Sequence, residues 1–424
     1  MSLAAARPAP PALAGRIERH RLANGLDLLL VENRQAPIVS SAIFYRAGAR
    51  DEAPGQGGVA HFLEHMMFKG SARFGAGAID RLTQALGGTN NAFTSQDVTA
   101  YYFAFAADRF AAALDIEADR MRGLTLDPEE VASERQVIVE EIAMYRDEPW
   151  DALELEVQAA FHGDHPYGRP VLGSPEELAG ADGATLDAFH RRHYRPDNAV
   201  LVLAGDLPAD ALERVDAAFG AIERDGEPRP EVGAPRHPLE LLRLERRHGE
   251  VTRLQLVLPA PPPDHPDHAG LRVLAAALGL GRSSRLQRAL VEEGELCLGV
   301  SAQLAESVLS SAFTIGAELL PGVEPAAVVA RIEAELADLA ARPLGDEELE
   351  RARQGFLADW VFGQERIHQQ ALAAGLAASL FDLGQPERLL AGALAADAAA
   401  LERLAVRHLE PRRGGVLGLS LPEE

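Results

Sequence analysis

The chain has 424 residues, 47% of them hydrophobic but only 5% aromatic, which is enough for two or more domains with cores of Ala, Leu and Val. A formal net charge of −23 argues against nucleic acid, which calls for a basic footprint, and is compatible with basic peptides. The single cysteine, Cys297, excludes an internal disulfide and any cysteine-based metal site, and Lys69 is the only lysine among 41 Lys and Arg residues, a bias expected of a GC-rich bacterial genome.

Residues 1–15 lack the apolar block of a secretion signal and read as a flexible tail, which leaves bacterial cytoplasm and periplasm both open. Arg16 to Asn33 reads as a hairpin, with Asn24-Gly25 as a two-residue turn and Leu26 to Val31 as the returning strand. Ile38 to Tyr45 is a second apolar strand, and Gly48 to Gly58 is a loop leading into a helix that carries His61, Glu64 and His65. Ile79 to Leu86 reads as helix, Ala100 to Ala106 as strand and Ala107 to Met121 as helix. A long helical pattern runs through Glu134-Arg-Gln-Val-Ile-Val-Glu-Glu141, and Asn198 to Leu203 is a strand ended by Gly205-Asp206. His165 in His-Pro-Tyr-Gly shapes a loop that Tyr167 packs or caps, and His190 and His193 flank a helix end, where a cation suits the dipole.

A proline-rich stretch at 223–240, densest from Gly226 to Pro235, reads as a linker between domains at 16–222 and 241–424. Beyond it Val251 to Leu258 is a strand, Pro259 to Pro266 a loop and Gly270 to Leu280 a helix, followed by Gly281-Arg-Ser-Ser-Arg-Leu-Gln-Arg-Ala-Leu290. This repeats in outline the order of residues 38–75, without the histidine pair. The longest apolar run, Ala371 to Phe381, is interrupted by Gly375 and Ser379 and is too short for a membrane span.

The chemistry concentrates in His61-Phe-Leu-Glu64-His65. At about 100° per residue, His61 and His65 lie about 40° apart on a helix, with Glu64 about 60° to the other side, while Phe62 and Leu63 are free to serve the core. Two imidazoles one turn apart can grip a divalent metal, and a carboxylate beside them can act on its water. The order H-x-x-E-H is the inverzincin signature. A catalytic site needs a third ligand, and Glu134, Glu140 and Glu141 all qualify from spacing. Glu134 and Glu141 stand two turns apart on nearly one face, so one can ligate while the other supports a ligand. Two imidazoles and a carboxylate suit Zn²⁺ better than Mg²⁺.

The chain resembles the pitrilysin and mitochondrial-processing-peptidase family of zinc metallopeptidases. The match rests on Gly57-Gly-Val-Ala-His-Phe-Leu-Glu-His-Met-Met-Phe-Lys-Gly70 and Gly87-Gly-Thr-Asn-Asn-Ala-Phe-Thr94 with Thr99 and Tyr101. It continues with Glu134 to Glu141, His165-Pro-Tyr-Gly168 and Tyr194-Arg-Pro-Asp-Asn-Ala-Val-Leu-Val-Leu-Ala-Gly-Asp206. The resemblance implies an α+β fold of two homologous halves, each an antiparallel sheet with helices packed on it, closing around a peptide. It implies Glu141 as third zinc ligand, Glu134 as supporting carboxylate and Glu64 as general base. Substrate is expected to add as an extended strand to a sheet edge near Asn91-Ala92-Phe93-Thr94, with Asn91, Ala92 and Phe93 as the binding residues. One departure matters: relatives that act alone or as homodimers carry an arginine and a tyrosine at the positions of Val291 and Leu298, where they bind the peptide carbonyl. Neither Val291 nor Leu298 can donate a side-chain hydrogen bond, so the expected enzyme is a metal-bearing subunit whose homologous partner supplies that pair. A non-catalytic scaffold and a peptide-binding subunit without turnover are the alternatives. The intact metal set speaks against the first.

Overall fold

A computed structural model describes residues 16–224, 229–411 and 414–423; the expected tail at 1–15 and residues 225–228 of the expected linker lie outside these. The first half runs β1 (Arg16–Arg21), β2 (Asp27–Glu32), β3 (Ile38–Tyr45), α1 (Val59–Met66), α2 (Ala78–Ala85), β4 (Thr89–Thr94), β5 (Thr99–Ala106) and α3 (Ala111–Arg122). It continues α4 (Pro128–Asp147), α5 (Pro149–His162), α6 (Pro175–Gly180), α7 (Gly183–His193), β6 (Ala199–Gly205) and α8 (Ala211–Phe219). The second half holds β7 (Leu241–Arg247), β8 (Arg253–Ala260), α9 (His268–Gly279), β9 (Cys297–Glu306), β10 (Ser311–Leu319), α10 (Pro325–Ala341) and α11 (Asp346–Phe362). It ends with α12 (Ile367–Leu380), α13 (Gln385–Ala395), α14 (Ala398–His408) and β11 (Gly415–Leu421).

The first sheet has the order β1-β2-β6-β3-β5-β4 and the second β7-β11-β8-β10-β9. Leaving out β1, the two orders correspond strand for strand, and each sheet is antiparallel save for one parallel pair, β2 with β6 and β7 with β11. The halves therefore share one α+β topology, and α9 stands in the second where α1 stands in the first.

Strand β3 is buried on both faces from Val39 to Tyr45 because both faces of the first sheet are covered. Alternate residues explain this: Ile43 and Tyr45 join the core under α1, while Ala42 and Phe44 face a second core that includes Ile367, Ala371 and Ala374 of α12. That helix belongs to the other half. Reciprocally, Leu153, Val157 and Phe161 of α5 pack on Val257 and Val416 of the second sheet. Each half thus lends a helix to the other. Close approach depends on glycine at both contacts: a methyl on Gly375 would fall 1.9 Å from the Phe44 ring, and one on Gly418 2.5 Å from Val157.

The hairpin tips 95–98 and 307–310 meet where the halves join. Asp97 accepts hydrogen bonds from the Val308 amide at 3.0 Å, the Tyr167 hydroxyl at 2.7 Å and Arg50 at 2.5 Å. Arg229, from the proline-rich stretch, is held by Asp51 at 2.6 and 2.7 Å. Tyr167 thus reaches beyond its loop, while His165 accepts its amide hydrogen at 3.1 Å.

Some local expectations change. The β1–β2 connection spans Leu22 to Leu26, not two residues, because the Asn24 amide leaves the turn to donate to the carbonyls of Phe219 and Ile222 at 2.8 and 3.0 Å. The helix expected from Ala107 starts at Ala111, after a turn that buries Phe110. His190 and His193 are not cations at a helix end: burial pushes both down to about 4, so they are neutral near pH 7.

Candidate active site

Helix α1 starts at Val59 because Gly58 adopts φ +87°, and a Cβ there would sit 2.4 Å from the Leu172 carbonyl oxygen. Val59, Ala60, Phe62, Leu63 and Met66 fill the core, leaving His61, Glu64 and His65 on the remaining face. Helix α4 crosses that face. It is capped by Asp127, which accepts from the Glu129 amide at 2.9 Å, and Pro128 occupies its first position. Val131, Glu134, Ile138 and Ile142 form its buried stripe, Glu141 borders the stripe, and Glu140 points to solvent.

One ligand atom each from His61, His65 and Glu141 lies within 4.8 Å of the others. Glu141 Oε2 is 3.8 Å from His61 Nε2 and 3.7 Å from His65 Nε2. Those separations are too long for hydrogen bonds. Two ligands held at about 2.1 Å in a tetrahedral shell sit roughly 3.4 Å apart, so the spacing fits a metal ion. Protonation agrees: burial, reinforced by neighbouring His65, pushes the His61 imidazole down to about 3, leaving it neutral with a lone pair to give.

His65 Nδ1 lies 2.8 Å from Glu134 Oε1, an arrangement that puts the ring proton on Nδ1 and directs Nε2 towards Glu141. The other Glu134 oxygen lies 2.5 Å from Lys69 Nζ. Burial would raise the Glu134 carboxyl, but the hydrogen bonds from Lys69 and His65 outweigh it and hold the group below its ordinary value. His61 Nδ1, by contrast, is buried without a hydrogen-bond partner among the described residues.

Glu64 stands outside the ligand cluster. Burial raises its pKa, with the Thr94 hydroxyl pulling the other way through a 2.5 Å hydrogen bond to Oε2. Thr94 ends β4, the outermost strand of the sheet, which pairs with β5 alone among the described strands and so offers a bare backbone edge. Along it, Ala92 packs on the core under α1 and Phe93 on the core under α12. The Asn91 side chain turns back to accept from the Ala92 amide at 2.8 Å. A cavity of about 680 Å³ between the halves begins at Phe93 and Thr94 and reaches Trp360 and Phe381. Beneath the sheet Arg120, wholly buried, pairs with Glu117 and lies 4.2 Å from the Tyr101 ring centroid, whose hydroxyl is 3.0 Å from that of Tyr194.

Sequence reasoning placed Thr94 on the expected substrate edge but not beside Glu64, and gave Lys69 no role. The alternation that puts Ala92 and Thr94 on one face of a strand would have pointed Thr94 at α1. In the second half Val291 packs against the core and the Leu298 side chain stays exposed.

A family model described as "Insulinase (Peptidase family M16)" matches residues 28–175, and one described as "Peptidase M16 inactive domain" matches residues 182–356. An "uncharacterized zinc protease" of Mycobacterium tuberculosis is 35% identical over 339 residues, 79% of this chain and 77% of that protein. The similarly named YmxG of Bacillus subtilis is 33% identical over 67% of this chain and 69% of its own length. Among solved structures, a protease from Helicobacter pylori superposes with a TM-score of 0.91 at 24% identity, covering 96% of this chain and all of that one, which bears on the fold alone. Both halves are matched by family models, and the mycobacterial relative is matched over most of its length: the chain belongs to peptidase family M16.

Proposed function

We propose that the protein is a zinc-dependent endopeptidase acting on extended or unfolded peptide segments, and that it is the metal-bearing subunit of a heterodimer. The observation that carries the reading is the convergence of two imidazoles and one carboxylate, with a second acid, Glu64, beside them but outside the cluster. Relatives named zinc proteases support the choice of metal. His61, His65 and Glu141 would hold the ion. Bound there, zinc supplies Lewis acidity, polarising a carbonyl oxygen and making water acidic enough to attack near neutral pH. Glu64 would take the proton of the attacking water and deliver it to the leaving amine, a task suited to a carboxyl whose pKa burial raises above its ordinary value. Peptide would add to the free edge of β4 beside Asn91, Ala92 and Phe93, its main chain supplying affinity.

The partner follows from what the second half lacks. Val291 and Leu298 carry no donor for a developing oxyanion, and loss of one such donor typically costs about 2.7–4 kcal/mol of transition-state stabilisation. A homologous subunit bearing arginine and tyrosine would supply them. The same lack favours the second reading, a subunit that binds peptides without turnover.

One experiment separates these: incubation of the zinc-loaded chain, with and without a homologous subunit that bears the arginine and tyrosine, with a quenched-fluorescence peptide library. The expected result is weak cleavage alone, strong cleavage with the partner, and loss of both in Glu64→Gln. Cleavage unchanged by Glu64→Gln sinks the peptidase reading, and full activity of the isolated chain sinks the heterodimer. Binding of peptides without cleavage in either state establishes the second reading instead.

A further inference from the structure

Lys69 stands apart in two independent ways. It is the only lysine in a chain that otherwise meets every need for positive side-chain charge with arginine. It also sits 2.5 Å from the one Glu134 oxygen that does not face His65. We infer that Lys69 is a positioning residue for the metal site, acting through Glu134, and that a compact ammonium is required there because a guanidinium would undo the arrangement.

Glu134 is almost wholly buried and divides its two oxygens: Oε1 faces His65 Nδ1 at 2.8 Å, and Oε2 faces Lys69 Nζ. The division matters because the His65 ring keeps Nε2 free for a metal only while Nδ1 carries the proton, and Glu134 is the acceptor that holds it there. An ammonium is a point charge and satisfies one oxygen without competing for the other. A guanidinium offers two parallel N–H groups that match both oxygens of a carboxylate at once. Arginine at 69 would therefore draw Glu134 into a bidentate pair and away from His65. The backbone leaves little freedom to escape this, since the Lys69 amide is tied to the Met66 carbonyl at 3.0 Å as the chain leaves α1. Arginine is thus excluded by geometry, not by charge.

The inference rests on the zinc reading above, and its test is zinc affinity of the apo-protein, measured by competition with a chromophoric chelator. Loss of a residue supporting a ligand from the outer shell typically weakens metal affinity by about 10–100-fold. Lys69→Arg is expected to fall in that range, with circular dichroism and the apo-protein melting curve unchanged. Lys69→Met is expected to weaken zinc binding in the parent but to add no further loss in a Glu134→Gln background, because Lys69 acts through Glu134. If Lys69→Arg does not fold, that cycle decides alone. Zinc affinity of Lys69→Arg within twofold of the parent, or losses from Lys69→Met and Glu134→Gln that add in full, overturns the inference. A parent protein that takes up no zinc overturns the zinc reading, a different outcome from either.

Discussion

Thr94 donates its hydroxyl to Glu64 at 2.5 Å from the last position of a strand whose outer edge is bare. A peptide that adds to that edge would press on the residue that aims the proposed base, so under the proposed mechanism the hydroxyl would couple docking to proton transfer. Thr94→Val keeps the side-chain shape and removes the donor. A hydrogen bond to a charged group contributes about 1.5–3 kcal/mol, so kcat is expected to fall roughly tenfold to a hundredfold with KM and zinc content unchanged. Thr94→Ser restores the hydroxyl and should recover most of the rate; equal losses in both variants would mean that packing, not the hydrogen bond, is what matters. At this scale the sequence was most readable where function follows helix spacing. His61, Glu64 and His65 are local to one turn, so their common face follows from 100° per residue. Glu134, Glu140 and Glu141 could not be told apart by spacing, because the difference lies in where α1 crosses α4. Solvent takes Glu140, His65 meets Glu134, and the space between the imidazoles faces Glu141.

Elements show a different limit. Strands and helices near the motifs followed from apolar runs and turn residues, and the echo of residues 38–75 after the linker corresponds to a shared strand order. The exchange of α5 and α12 between halves left no local trace, because nothing in a helix's own sequence says whose sheet it will cover. Ala371 to Phe381 read merely as an apolar run too short for a membrane; its apolarity suits burial against β3 and β6. Gly375 sharpens the point. In an exposed helix Gly→Ala would stabilise by about 1 kcal/mol through propensity. Here the added methyl would meet the Phe44 ring at 1.9 Å, and overpacking of that kind typically costs about 1–3 kcal/mol. Gly375→Ala is therefore expected to destabilise in urea unfolding, opposite in sign to the propensity scale. An increase in stability would show that α12 does not sit so closely on this sheet.

For the molecule as a whole, buried histidines couple stability to acid more than the net charge of −23 alone would. His190 and His193 are 5% and 3% exposed, and burial pushes each down to about 4. His190 Nε2 lies 3.0 Å from the Arg120 carbonyl oxygen, which ties α7 to the buried Glu117–Arg120 pair. An ordinary histidine takes up its proton near 6.5. Between about 6.5 and 4 the unfolded chain therefore binds protons that the folded chain refuses, and stability must rise with pH across that window. Acidification from 6.5 to 4 should cost on the order of 3 kcal/mol per histidine, since holding a proton off over one pH unit is worth about 1.4 kcal/mol. The check is urea unfolding of the metal-free protein at several pH values, compared with His190→Gln. Glutamine keeps a donor for the Arg120 carbonyl and has no proton to gain, so the variant should start less stable near pH 7 and lose less on acidification, its curve converging on the parent's near pH 4. His61, which burial pushes down to about 3, adds to the same slope, so a His61→Gln, His65→Gln double variant should be less steep than the parent yet keep the part set by His190 and His193. Parallel curves for parent and His190→Gln would place the acid sensitivity elsewhere, and complete disappearance of the slope in the double variant would place it at His61 and His65 alone.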